Sequence, residues 1–422
     1  MLRSFAAILT FALVVSSNPH PSYVVVGSSN VDVFLPRTRD FAIPLEDNLN
    51  VDGSVNLIAG GKGLNQAKAL AKLAAAKERV KFVTCFDGAH PLSSTLSDAV
   101  SAIDAEVLAP ATPKSSPPVS PGVGVVFTSA AGEASAVVVS GSNVLFPPLP
   151  AERLPPSCSA LLLQNEVPSE TNEQAMSLYP DAITIFDMGG VDRPPPSRPV
   201  RFLTMNEAEA DRCLLHLPSR PSPSALDAKA KAAFILDHTN AQHVIVTLGG
   251  SGLCLASRSP KTALSMPCTY KPTTVVDTTG AGDCFRAALA YAMLEGGKGV
   301  EEACGWAMEC AGRSVEAEGA TCPRAEEVVG MLRGGGGGDY ADFGSRLNSM
   351  KDRRDLCPPD LSNDVEGWVS RQGMIKGLTV VDFNFPEHIS EATDLGEVKA
   401  WLDKAGLRAG AVCLRYPKSM IR

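Results

Sequence analysis

The sequence predicts an α/β fold, a three-layer α/β/α sandwich around a mainly parallel sheet, with a small β-sheet lid beside it. Three observations carry this. From Ser22 to about Arg333, apolar β-branched runs alternate with helical patterns. The runs are not interrupted by polar residues, as expected of strands covered on both faces and therefore of a parallel sheet. A second group of segments, 31–36, 49–57 and 122–141, has a different texture and includes two strands around a turn at Gly132; these predict the lid.

Taken in order, "SYVVVGSSNVDVF" (22–34) supplies a buried first strand. "GLNQAKALAKLAAAK" (63–77) is rich in strong helix formers, so a helix follows the glycine turn at 60–63. "VKFVTCF" (80–86), "ALLLQ" (160–164), "ITIFDM" (183–188), "RFLTMN" (201–206) and "HVIVTLGG" (243–250) are short apolar runs and read as further strands. "DAKAKAAFILD" (227–237) supplies a helix between the last two, and a long helix begins near Gly282. Proline clusters at 110–121, 147–156, 194–199 and 218–223 mark surface loops.

Five consecutive glycines at 334–338 cannot bury enough apolar surface to order themselves, so a boundary falls there. The expected organisation is a segment of signal-peptide form at 1–20, a main domain at 21–333, a linker at 334–342 and a separate segment at 343–422. Within the last, "GLTVVDFNFPEH" and the residues after it read as strand, helix capped by Thr393 or Asp394, and strand, an incomplete βαβ unit. At the other end one arginine precedes an apolar run from Phe5 to Val15 that is too short to span a bilayer. It is either a targeting segment or an extension without function.

The chain is 45% hydrophobic and 20% charged, enough to bury a large core. A net charge of −8, with no Lys/Arg run longer than a pair, gives no footprint for nucleic acid or an anionic membrane, so a small-molecule partner is expected. Eleven scattered cysteines without a C-x-x-C pair read as reduced thiols. This places the chain in the cytoplasm, or in an organelle such as a plastid if the first residues are a targeting signal.

Several stretches carry chemistry. In "VVDTTGAGDCF" (275–285), Gly280 and Gly282 permit a tight turn whose amides, with that of Ala281, face an oxyanion at a helix start. Asp283 stands at the far end of that turn, and the helix end is expected to keep it ionised. By itself such a turn is either an anion cradle or a plain strand-to-helix connection. In "VNLIAGGKGLNQAKAL", Gly60, Gly61 and Gly63 surround Lys62, and Lys62 and Asn65 offer donors to a polyhydroxylated ligand. The spacing is not that of a P-loop.

Asn30 and Asp32 lie at the C-terminal end of the first strand, where parallel sheets bind ligands, and either meet sugar hydroxyls or form a turn. Glu166 ends "LLLQNEVP". Asn206 and Glu209 in "FLTMNEAEAD" have the spacing of a helix cap, the favoured reading of that pair. Thr247, Leu248, Gly249, Gly250, Ser251 and Gly252 form a loop able to lie along a nucleotide.

In this order, over roughly residues 22–333, these pieces resemble the ribokinase family, within the wider superfamily of carbohydrate and nucleoside kinases. "DTTGAGD" marks the superfamily, and the pairing of "GSSNVD" with "AGGKGLNQA" points to ribokinases. The resemblance implies transfer of a phosphoryl group from ATP to the 5-hydroxyl of D-ribose, giving ribose 5-phosphate. It implies Asp283 as catalytic base, Gly280, Ala281 and Gly282 as anion hole, and Asn30, Asp32, Gly61, Lys62, Asn65 and Glu166, with Asp283, as the sugar-contacting set. Asn206, Gly282 and the loop Thr247 to Gly252 would meet ATP, and Glu209 would support Mg²⁺ indirectly. Asp277 and Thr279, with carbonyls of Ser314, Ala317 and Gly319, would form a K⁺ site.

A homodimer through the lid strands is also implied. The alternatives are a kinase of another sugar, phosphosugar or nucleoside, or a non-catalytic sugar-binding regulator; the presence of Asp283 argues for an enzyme. The chain departs from the family where it reads "FDMGGVDRPPP" in place of an Asn-Pro-Ala-Pro-like stretch, and "CFDGAHPLSS" in place of G-D-D-x-x-G. The segment 343–422 resembles the opening of a xylose-isomerase-like TIM barrel. Two strands cannot close an eight-stranded barrel, so no isomerase activity is expected of it.

Overall fold

The computed structural model describes residues 22–35, 54–113, 116–128, 134–219, 221–329, 380–385 and 408–414. The chain divides into two compact units, Pro19–Met331 and the remainder. The first unit opens with β1 (Tyr23–Val26), β2 (Asn30–Phe34), β3 (Asn56–Gly60), α1 (Lys62–Leu73), β4 (Val80–Cys85), α2 (Ser93–Ser101) and β5 (Asp104–Leu108). It continues through β6 (Gly122–Thr128), β7 (Ala134–Val139), β8 (Ala160–Asn165), α3 (Ser169–Leu178), β9 (Ile183–Gly190), β10 (Val200–Asn206), α4 (Glu207–Leu215) and α5 (Ala228–His238). It ends with β11 (Ala241–Thr247), β12 (Leu253–Arg258), β13 (Lys261–Met266), α6 (Ala281–Leu294), α7 (Val300–Ser314) and α8 (Ala325–Val329).

A nine-stranded sheet runs β13-β12-β11-β10-β9-β8-β1-β4-β5. The seven strands from β11 to β5 pair parallel, while β12 and β13 add an antiparallel hairpin at one edge. Period-two alternation sends Tyr23 and Val25 to one face and Val24 and Val26 to the other, and all four are buried. On the first face they meet residues of α1, α6 and α7, and on the second residues of α3, α4 and α5. This double covering is why the strands read as unbroken apolar runs. Burying a side chain such as Phe82 or Leu162 contributes about 2 kcal/mol.

The lid is a four-stranded sheet in the order β3-β2-β6-β7. Its strand β2 pairs antiparallel with β3 and parallel with β6, and β6 forms a hairpin with β7. Three buried residues, Gly27, Ser28 and Ser29, join β1 of the main sheet to β2 of the lid.

In the second unit, β14 (Val380–Phe385) pairs parallel with β15 (Arg408–Leu414). The expected helix between them with its cap at Thr393 or Asp394, the glycine linker at 334–342 and the N-terminal segment 1–20 lie outside the described residues.

Candidate active site

Asp283 sits in the first turn of α6, 6% exposed, directly after the turn that Gly280 makes in the left-handed region at φ 73°. A side chain at 280 would be strained, and its Cβ would stand 2.5 Å from the Ala320 Cβ, so glycine is required there twice over. The Asp283 carboxylate accepts from Asn65 Nδ2 at 3.1 Å and from Gln66 Nε2 at 3.0 Å. Burial pushes its pKa up to about 6; Lys62, Arg286 and the Gln66 hydrogen bond oppose that rise, while Asp187 adds to it. Desolvation is the largest of these influences, and it brings the carboxyl nearer neutrality than its ordinary value of 3.8.

The glycine turn before α1 brings the other groups in. Lys62 N and Ser28 Oγ both donate to Glu166 Oε2, the former at 3.1 Å. From the lid, Asn30 Oδ1 accepts from Asn143 Nδ2 at 2.7 Å, which fixes the amide orientation. Asp32 lies close enough to Glu166 and Asp283 for their charges to reinforce the effect of burial, and its pKa rises to about 7.

Glycines on the neighbouring strands make room for these side chains. A Cβ at Gly122 would meet Asn30 Oδ1 at 2.0 Å, and one at Gly124 or Gly60 would meet an Asp32 oxygen at 2.4 or 1.9 Å. The register explains it: Asn30 pairs with Gly60 and Gly122, and Asp32 with Gly124.

The charged end of Lys62 lies toward a second group of residues. Its Nζ is 3.1 Å from Asp187 Oδ2 and 4.0 Å from Glu209 Oε1. Burial alone would lower its pKa, but Asp187, Glu209 and Asp283 outweigh it and hold the ammonium above the usual lysine value. Asp187 is fully buried and also pairs with Arg286 Nη2 at 2.7 Å. Sequence reasoning did not single out Asp187, Gln66 or Arg286. The departing "FDMGG" stretch was a signal for Asp187, and a glutamine and an arginine on the inner faces of α1 and α6 were signals for the others.

Asn206 and Glu209 form a reciprocal capping box on α4, each backbone N–H bonding the other side chain at 2.8 Å. The loop after β11 turns at Gly249 (φ 55°) and Gly252 (φ 108°), closed by Leu248 N to Gly252 O at 2.8 Å. Gly249 and Gly250 face open space, and Thr247 Oγ1 donates to Met205 O.

Asp277 accepts from Thr279 N and Gly319 N, both at 2.9 Å, and so ties the two halves of the expected cation site together. Thr279 Oγ1 is buried without a hydrogen-bond partner among the described residues, and the Ser314 carbonyl accepts from Thr321 Oγ1. An oxygen-only donor set with an orphaned hydroxyl fits a hard cation.

Comparison with known proteins bears on the fold and the family. The family described as pfkB family carbohydrate kinase matches residues 127–327. Ribokinase of Arabidopsis thaliana is 30% identical over 333 residues, covering 74% of this chain and 81% of that protein. Ribokinase of Schizosaccharomyces pombe is 28% identical, covering 73% and 97%. The Thermotoga maritima ribokinase structure superposes with a TM-score of 0.61 at 28% identity over 74% of this chain and 99% of that one. The structure of Arabidopsis thaliana ribokinase complexed with ribose and ATP gives 0.57 at 26% identity over 75% and 100%.

Fold and matches together define a carbohydrate kinase, and the chain belongs to the pfkB family. Within that family it is of the ribokinase type.

Proposed function

We propose that the protein transfers the γ-phosphoryl group of MgATP to the 5-hydroxyl of D-ribose. The observation that carries this is the buried Asp283 carboxylate beside the Gly280–Gly282 turn, with Asn65 and the lid residue Asp32 close by. Asp283 takes the proton of the attacking hydroxyl as its oxygen bonds to phosphorus. The amides of Gly280 and Gly282 meet the transferred group, each well-placed donor contributing on the order of 3 kcal/mol, whereas Ala281 N, expected beside them, donates to Thr278 O at 3.3 Å instead.

Asn65 Oδ1 is buried without a partner among the described residues, an acceptor ready for a sugar hydroxyl. Asn30, Asp32 and Glu166 add further polar groups. Carboxylates gathered at this end favour a neutral polyol over a phosphosugar, since the Lys62 ammonium is committed to Asp187.

ATP as the donor is supported by the relative complexed with ribose and ATP, and its course along the loop Thr247 to Gly252 by the open glycines there. Mg²⁺ enters on the nucleotide as part of the substrate; no cluster of three or more acidic, His or Cys ligands occurs among the described residues, and Glu209 would hold one of its waters. K⁺ beside Asp277 and Thr279 would screen charge and fix the shape of the anion turn.

Dimerisation through the lid belongs to the same proposal, supported by the exposed Val137, Val139 and Leu57 on strands flanking β2 and β6. A panel of ribose, deoxyribose, fructose, fructose 6-phosphate and adenosine, each with MgATP and with or without K⁺, tests the acceptor. Ribose is expected to give the highest kcat/KM, and no preference for it would refute the assignment.

A further inference from the structure

We propose that Arg286 is a catalytic residue of this chain, its Nη1 contacting the transferred phosphoryl group at Gly282, and that Asp187 and Thr204 are the positioning residues that hold it there; this rests on the phosphoryl transfer proposed above.

Arg286 lies one helical turn after Gly282 in α6, and a long side chain at that spacing reaches back over the turn N-terminal to its own Cα. The guanidinium accordingly reaches the anion turn, and a Cβ built on Gly282 would stand 2.6 Å from Nη1. The rest of the fork is fixed. Nε donates to Thr204 Oγ1 at 2.8 Å, and Thr204 is itself held by donating to Phe186 O. Nη2 pairs with Asp187 Oδ1 at 2.7 Å and is 4.0 Å from Glu209 Oε2.

Nη1 takes part in no hydrogen bond or ion pair among the described residues, although the residue is only 3% exposed. A buried guanidinium with two of its three nitrogens anchored presents its last one to the helix N-terminus, where amides already converge. That is the arrangement in which a planar, permanently charged fork serves a phosphoryl group. Asp187, fully buried, also accepts from Gly189 N and pairs with Lys62, so one acid orients two cations on one side of the turn.

Arg286→Gln tests this in the full-length protein, with binding of MgADP and of Mg-β,γ-methylene-ATP measured by calorimetry. The variant should weaken the ATP analogue by about tenfold or more while changing ADP affinity by less than about twofold. Turnover should fall by about 100-fold with KM for the sugar nearly unchanged. An equal change for both nucleotides, or no change, would overturn the assignment.

Asp187→Asn/Arg286→Gln removes both buried charges together, so it keeps the test decisive if the single variant does not fold. It should show the same selective loss. A wild type that distinguishes the two nucleotides through Arg286 but phosphorylates none of the sugars would refute the acceptor and leave Arg286 standing. A wild type active on ribose whose variant treats the two nucleotides alike would refute Arg286 alone.

Discussion

Asp283 has two consequences at the scale of one residue. As a base with a pKa near 6, it should give a rate that climbs about tenfold per pH unit below 6 and levels above it, read from kcat/KM against pH. Asp283→Asn should lower kcat by about 10³-fold or more and leave ribose binding in place; near-normal turnover would exclude it as the base. The same burial works against folding. The folded carboxyl keeps its proton up to about pH 6, whereas its ordinary value is 3.8. Wild type should therefore lose about 3 kcal/mol relative to Asp283→Asn as pH rises from about 4 to 6, with the gap level above that. Melting both proteins at pH 4.5 and pH 7 reads the difference.

At the scale of elements, the lid strands act through the glycines opposite Asn30 and Asp32. Gly124→Ala would place a methyl 2.4 Å from Asp32 Oδ1 and push the carboxylate out of position. The expected result is a rise of about tenfold in KM for the sugar with Tm almost unchanged; an unaltered KM would remove Asp32 from the sugar set.

Most of the core and lid strands were legible because their burial pattern is written locally: "YVVVG" and "ALLLQ" can only be covered strands. β5 was not, since "DAEVL" carries two acids, and neither was the β12–β13 hairpin, whose turn is Ser-Pro and whose edge strand is mostly exposed. The residues of the motifs were legible for the same local reason. Asp187 and Arg286 were not, because their meaning lies in an ion pair between a strand end and a helix interior far apart in sequence, which no local period encodes. The capping box of Asn206 and Glu209 was legible, being a three-residue relation.

At the scale of the molecule, Pro19–Met331 is a compact unit that holds every residue of the candidate site. Removal of 339–422 is expected to leave sugar phosphorylation intact, measured as kcat/KM of the truncated chain; its loss would show that the tail supports the kinase unit. The apolar lid edges give a second expectation. Val137→Lys should turn a dimer into a monomer in sedimentation velocity, and an unchanged sedimentation coefficient would place any pairing elsewhere.

The three-residue passage from β1 to β2 has a mechanical meaning. Gly27 N bonds Val83 O, Ser29 N bonds Asn143 Oδ1 and Ser29 Oγ bonds Thr84 Oγ1, so the joint is clamped from both sides. A sugar held by Asn30 and Asp32, as proposed, would therefore pull on an interior strand of the main sheet rather than on a loosely hung flap. Sugar binding should then strengthen the whole unit at once, appearing as a single melting transition displaced upward and not as a separate early one for the lid.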